Sequence, residues 1–311
     1  MVILCALATM SLNAMKIKVH TGIEVLKAQN FRPLRGKKVG LITNPTGVDS
    51  DLRSTVDLLF DAPGVELVAL FGPEHGVRGN MHAGDNVQDV RDEVTGLPVY
   101  SLFGATRKPT REMLQGLDVL VYDIQDIGCR SFTYISTMGL AMEAAADADV
   151  EFMVLDRPNP LGGRKVEGCL TEPDCTSFVS QYPIPYVYGL TCGELAMLLN
   201  GQNLLEGGRK CRLTVIKMKG WDRDMSYSDT GLAWIPPSPH IPQPCSAVGY
   251  PSSGILGEFS YMNIGVGYTL PFQMFAAPWV DAGQLSKALN ALNLRSEERR
   301  VGKECRSRWS P

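Results

Sequence analysis

The sequence predicts an α/β protein, and three observations carry that expectation. Short apolar runs that read as buried strands alternate with segments of helical spacing. Several of those runs break abruptly into loops rich in Gly, Pro and polar residues. Near Gln181 the texture changes to tyrosine and proline. The expected architecture is a Rossmann-like parallel-sheet domain over 15–180 with a second, smaller α+β domain over 181–294, C-terminally truncated.

Lys37 to Ile42 reads as a strand that breaks at the Asn44-Pro45 turn, and Ser54 to Phe60 follows with helical apolar spacing. Val65 to Phe71 is the second strand, Pro98 to Leu102 a shorter one, and Thr110 to Leu114 opens a helix. Val119 to Asp123 is a further buried strand, followed by a helix from about Tyr134 to Ala146 and a strand from Glu151 to Asp156. Strand, loop, helix, strand is the βαβ unit, whose crossover makes the two strands parallel. In the second region Thr191 to Leu199 reads as a helix with Thr191 as N-cap and Glu194 at the capping-box position. Leu213 to Met218 reads as a strand, and proline-dense Trp234 to Pro242 as a stiff, extended connector.

Of the 311 residues 44% are hydrophobic and 20% charged, with a formal net charge of −3. That composition supports sizeable cores and argues against a nucleic-acid surface. The eight cysteines form no C-x-x-C pair, so buried free thiols are expected; a Cys169–Cys175 bridge stays open for an exported protein. No apolar run is long enough to span a membrane. Neither G-x-G-x-x-G nor G-x-x-x-x-G-K-[ST] follows any strand, so the phosphate cradles of dinucleotide and NTP enzymes are missing. No cofactor and no metal site is expected.

Met1 to Ala14 is an apolar run that suits the later part of a secretory signal, with a buried N-terminal segment as the alternative. A periplasmic or secreted location is therefore expected, with a cytoplasmic one as the alternative. Arg295 to Pro311 turns abruptly to charged residues and resembles the translation of a sequencing-library adapter, so it is set aside and the natural sequence is expected to diverge at about Leu294.

Chemistry is expected where strands end, because ligands of open α/β sheets bind beyond the carboxyl ends of the strands. The clearest such stretch is Leu67 to Gly79, LVALFGPEHGVRG, which delivers Glu74 and His75 to the end of a strand. Three more loops bring polar groups to the same edge: Asn44; then Asp123, Gln125, Asp126 and Arg130; then Asp156, Arg157 and Asn159. Several carboxyls with few histidines favour acid/base work by carboxylates, and glycoside hydrolysis suits that inventory. Burial beside apolar residues such as Phe71 would separate their pKa values, and arginines in the crevice would take an anionic substrate group. Structural roles compete: Asp123 and Asp156 as turn caps, Arg157 on a loop carbonyl, His75 as a general acid, an orienter or an exposed bystander. His20, His82 and His240 have no partner in sequence.

The strings GLITNPTG (Gly40 to Gly47), FGPEHGVRG (Phe71 to Gly79), VYDIQDIGCRSFTY (Val121 to Tyr134), LDRPNPLGG (Leu155 to Gly163), VEG (Val166 to Gly168), YGLTCGELA (Tyr188 to Ala196) and WIPPSP (Trp234 to Pro239) occur in this order. Together they closely resemble the exo-β-N-acetylmuramidase family of bacterial peptidoglycan recycling, over about Gly22 to Asp281. The resemblance implies a Rossmann-like catalytic domain, a smaller C-terminal domain, and release of N-acetylmuramic acid from the non-reducing end of cell-wall fragments. The family's P-E-H-G glutamate falls on Glu74. One departure bears on sugar specificity: many relatives have E-G-T-N…G-R-G-T where this chain has Gly257 to Thr269, with Val266 in place of the arginine.

The expected function is thus an exo-acting glycosidase on muramic-acid-containing saccharides, with a non-catalytic cell-wall sugar-binding protein as the alternative. Glu74 is the general acid or base, with His75 beside it and one of Asp123, Asp126, Asp156 or Glu167 as partner. Arg130 or Arg157 holds the lactyl carboxylate; Asn44, Arg78, Gln125, Tyr134, Asp156 and Asn159 complete the substrate-binding set. Retention or inversion, and the oligomeric state, stay open.

Overall fold

Strand β1 (Lys38–Thr43) is buried from Val39 onward, and its side chains feed two separate cores. Val39 and Leu41 face one core and Ile42 the other; in β5 (Val119–Asp123) Val119 and Val121 face the first, Leu120 and Tyr122 the second. That alternation is the two-residue period of a strand, and apolar residues on both faces require a covering layer on each.

The computed structural model describes residues 19–79 and 90–292. They form one seven-stranded sheet in the order β3 (Val90–Arg91), β4 (Pro98–Ser101), β2 (Glu66–Gly72), β1, β5, β6 (Glu151–Leu155), β7 (Leu213–Ile216). Every neighbouring pair is parallel except β3 with β4. Helices α1 (Gly22–Ala28) and α2 (Thr55–Phe60) bury Ile23, Leu26, Val56 and Leu59 on one face. Helices α3 (Tyr134–Asp147) and α4 (Cys192–Gly201) bury Met138, Met142, Leu195 and Leu199 on the other. The layered, Rossmann-like α/β architecture is as expected.

The chain runs outward from β1 through β2 to β4, then returns to place β5 on the other side of β1. The carboxyl ends of β1 and β5 therefore flank the point where strand order reverses, which opens a crevice.

The elements differ from expectation in three places. Thr110 to Leu114 forms turns instead of a helix. Gly116, at φ +79°, ends the segment before enough residues accumulate to offset helix nucleation. Secondly, α4 and β7, assigned by sequence to the second domain, belong to the first sheet: β7 pairs with β6 and α4 packs beside α3. The boundary at 181 therefore cuts through a single core; the tyrosine-rich texture marks a long excursion between β6 and α4. Thirdly, α1, α5 (Pro244–Ser253) and α6 (Ala282–Ala291) were not expected. The first had a legible signal, because the Glu24 carboxylate accepts the Thr21 N–H at 2.8 Å in a capping box.

Beyond β7 the described chain is helical and turn-like with an isolated bridge, Asn263 to Ala276. It docks on the loop after β5 through Ile127, Cys129, Ile241, Ala247, Ile264 and Phe272. Cys169 and Cys175 are exposed, free thiols. No helix among the described residues is long and apolar enough to cross a membrane. Expectations for Met1 to Ala14, His82 and Arg295 to Pro311 lie outside the described residues.

Candidate active site

Adjacent parallel strands β2, β1, β5 and β6 end at one edge, so the loops bearing Glu74, Asn44, Asp126 and Asp156 are neighbours. The β2 loop makes its turn with His75 and Gly76 both in the left-handed region, at φ +74° each. For a non-glycine residue that conformation is uncommon and gathers at functional sites. Arg78 holds this loop: Nε and Nη2 donate to Asp92 at 2.5 and 3.0 Å, and Nη2 donates to Asp57 on α2 at 2.8 Å. Burial raises Asp92, but the Arg78 and Thr95 hydrogen bonds outweigh it and hold the carboxyl at about 2.

The β5 and β6 loops are locked together. Asp123, 1% exposed, accepts Arg157 Nε at 2.6 Å and Nη2 at 3.0 Å, plus the Thr55 hydroxyl at 2.5 Å. Arg157 Nη2 also donates to the Val48 carbonyl at 2.9 Å. Gln125 Nε2 donates to the Asp126 and Pro158 carbonyls at 2.7 and 2.6 Å. Asn159 Nδ2 donates to the Leu190 carbonyl at 2.9 Å while its Oδ1 accepts the Leu161 N–H at 2.9 Å. Gly128 is required there: at φ +80° a Cβ would lie 2.2 Å from Asn159 Oδ1.

Asp156 reaches across to the first turn of α4, accepting Gly193 N–H at 2.8 Å, the Thr191 hydroxyl at 2.9 Å and the Arg157 N–H at 3.1 Å. Any side chain at Gly193 would press on that carboxyl, since its Cβ would sit 2.9 Å from Asp156 Cγ. Burial pushes Asp156 up to about 6, against these hydrogen bonds.

Fewer of the expected residues stand outside these ties. The Glu74 carboxyl is part-exposed and makes no hydrogen bond or ion pair with the described residues. Asp126 is buried; Oδ2 accepts the Gly128 N–H at 2.6 Å and the Tyr188 hydroxyl, and Oδ1 has no partner among the described residues. Burial raises its pKa to about 6, opposed by the Tyr188 hydroxyl and the Gly128 amide. The Tyr134 hydroxyl, at the start of α3, donates to the Pro237 carbonyl at 2.5 Å and pins the proline-rich strap over this edge. Burial raises Tyr134 well above its ordinary value, a hydrogen bond from the Asn44 side chain opposes the rise, and the Glu74 and Asp126 charges add to it. Asn44 thus contacts the Tyr134 hydroxyl, and the Glu74 and Asp126 charges reach it. Burial lowers His75, the Glu74 charge opposes this, and the His240 charge on the strap adds to it.

The family model for the N-terminal domain of the exo-β-N-acetylmuramidase NamZ matches residues 39–245, and that for its C-terminal domain matches 248–300. This chain belongs to the NamZ family. The peptidoglycan β-N-acetylmuramidase NamZ of Bacillus subtilis is 50% identical over 281 residues, covering 90% of this chain and 67% of that protein. Two crystal structures of DUF1343 proteins from Bacteroides fragilis are also similar. One has 66% identity and a TM-score of 0.85 over 90% of this chain and 70% of its own. The other has 37% identity and a TM-score of 0.73 over 84% and 67%.

In this NamZ-family chain several expected site residues have other work. Asp123, expected as a catalytic carboxyl, and Arg157, expected on the lactyl carboxylate, hold each other in an ion pair. Asp156 is a helix cap contributed by a neighbouring strand, and Arg78 anchors the Glu74 loop. Arg130 Nη1 donates to the carbonyls of Cys169, at 2.7 Å, and Ile184, so it braces the excursion before α4. Glu167 is exposed, paired through its backbone with Val187, which also bridges to Cys129. Gln125 and Asn159 are loop ties.

Sequence reasoning missed Thr46, Tyr188 and His240. The Thr46 hydroxyl donates to Asn44 Oδ1 at 2.5 Å and accepts the Gln125 N–H at 2.8 Å, linking the β1 and β5 loops. Tyr188 and His240 lie within or beside quoted motifs, but their partners are distant in sequence. Val266, in the departing segment, packs against the core beneath the strap, and the Glu258 charge reaches Tyr250. Among the described residues no cluster of His, Cys, Asp and Glu is placed to hold a metal ion.

Proposed function

We propose that this chain is an exo-acting β-N-acetylmuramidase that releases N-acetylmuramic acid from the non-reducing end of peptidoglycan-derived saccharides. Glu74 carries the proton at the glycosidic oxygen, and Asp126 is the second carboxyl of the crevice. One observation supports the assignment above the others: Glu74, on the loop after β2, makes no side-chain hydrogen bond with the described residues, nor does exposed Glu167, while Asp123 and Asp156 are held in structural contacts. A proton carrier must exchange its proton with leaving group and water, which requires an accessible carboxyl without a fixed partner.

Family membership and the 50% identity to the Bacillus subtilis muramidase support the substrate class. The left-handed turn at His75 and the Arg78 anchor support the chemistry, because both fix the Glu74 loop against α2. The engaged guanidinium groups of Arg130 and Arg157 argue that the lactyl carboxylate is held elsewhere. The test is a chromogenic β-N-acetylmuramide incubated with the purified chain. Release of the chromophore is expected; binding without release would mark a sugar-binding protein instead.

A further inference from the structure

A lactyl carboxylate distinguishes N-acetylmuramic acid from N-acetylglucosamine, and beside Glu74 and Asp126 it would add a third acidic group that needs a partner. The three arginines of this edge are committed. Arg78 is bonded to Asp92 and Asp57, Arg130 to two carbonyls, and Arg157 to Asp123 and the Val48 carbonyl. Two imidazoles are not. Neither His75 nor His240 makes a side-chain hydrogen bond or ion pair with the described residues. His75 is part-exposed and His240 exposed, so both rings are open to a ligand.

Both rings are carried on a fixed backbone. His75 stands in the left-handed turn closed by the Gly76 N–H on the Pro73 carbonyl at 3.0 Å, in the loop that Arg78 ties to α2. On the strap, the Pro237 carbonyl accepts the Tyr134 hydroxyl at 2.5 Å. Ile241, 1% exposed, donates its N–H to the Ser238 carbonyl at 2.9 Å, and its own carbonyl accepts Trp234 Nε1 at 3.1 Å. His240 is therefore held on both sides of its own backbone while its ring is free. Loop and strap come close enough for the His240 charge to bear on His75, as the Glu74 charge does from the same loop.

An imidazole offers one N–H when neutral and two when charged. Two of them side by side repel each other once charged, and an anion beside both replaces that repulsion with attraction. Glu74 holding its proton leaves them without a counter-ion, and a carboxylate on the substrate supplies one.

We propose that His75 and His240 hold the lactyl carboxylate of the muramic acid residue, each through a ring N–H, and so select muramic acid over glucosamine at the non-reducing end. This rests on the muramidase reading for its substrate class. Charge-assisted hydrogen bonds of this kind are about twice as strong as neutral ones, so the sugar that lacks the carboxylate loses the larger share of the recognition.

The test is calorimetric titration of the full chain with N-acetylmuramic acid and with N-acetylglucosamine, which lacks the lactyl ether. The unmodified chain is expected to prefer the acidic sugar by about tenfold or more, the scale of one hydrogen bond to a charged group. His240→Ala removes one ring from an exposed position; His75→Asn removes the other with a residue that tolerates the left-handed turn. Each variant is expected to bring the preference within about threefold while N-acetylglucosamine binds as before. His240→Ala decides alone if His75→Asn fails to fold. An unchanged preference in either folded variant, equal loss for both sugars, or no preference in the unmodified chain would overturn the proposal. The chromogenic assay separates the two readings: preference for the acidic sugar without chromophore release sinks only the hydrolase, and release without that preference sinks only this recognition.

Discussion

Arg157 closes on Asp123 through a two-pronged ion pair, Nε to Oδ1 at 2.6 Å and Nη2 to Oδ2 at 3.0 Å, with both side chains shielded from water. It joins the ends of β5 and β6, so the crevice wall stands on it. Removing one partner strands a buried charge, which typically costs about 3–5 kcal/mol. Asp123→Leu and Arg157→Leu are each expected to lower stability by that order in denaturant unfolding, and the double variant by less than the sum of the two. Two additive losses would show that the pair is not coupled.

The bond from Tyr188 to Asp126 gives a pH signature. Hydrogen bonding to the charged form lowers a carboxyl pKa, so removing the hydroxyl raises it. As the second carboxyl of the site Asp126 acts in its ionised form, hence kcat/KM is expected to fall as pH drops through about 6, the value burial gives this group. Tyr188→Phe should move that acid limb upward by about one pH unit, and Asp126→Asn should remove it. An acid limb that stays in place in Tyr188→Phe would separate Asp126 from the titration.

Arg78 and Asp92 make an opposite prediction for stability. The folded Asp92 pKa, about 2, lies below the unfolded value. Its contribution is therefore complete above about 4, the ordinary Asp range, and is lost as pH falls toward the folded value. Between those limits the unmodified chain should lose more stability than Arg78→Ala, which lacks the pair already. Parallel acid-unfolding curves would contradict the assignment.

Much of this was legible in the sequence. Apolar runs ending in Asn44, Glu74, Asp123 and Asp156 announce parallel strands whose carboxyl ends gather polar groups, and those strands do lie side by side. What the sequence could not reveal is which groups are taken. Asp123 looks as available as Glu74 until strand order sets β6 beside β5 and brings Arg157 onto it. Asp156 looks like a turn cap, yet its partner is a helix start that a long excursion returns to the sheet. Likewise, β7 reads as part of another domain because sequence distance conceals its adjacency to β6. The His240 contribution to His75 depends on the strap pinned by Tyr134, which no local pattern encodes.

Glu74 carries the proton, and Glu74→Gln removes the group that does so. The substitution keeps shape and removes the titrating group without disturbing any described hydrogen bond. Steady-state release from a chromogenic muramide should fall by about 10²–10⁴-fold, the range for loss of a general acid or base. The thermal midpoint and N-acetylmuramic acid affinity should stay near those of the unmodified chain. A folded Glu74→Gln protein that releases the sugar at the unmodified rate would show that Glu74 does not carry the proton.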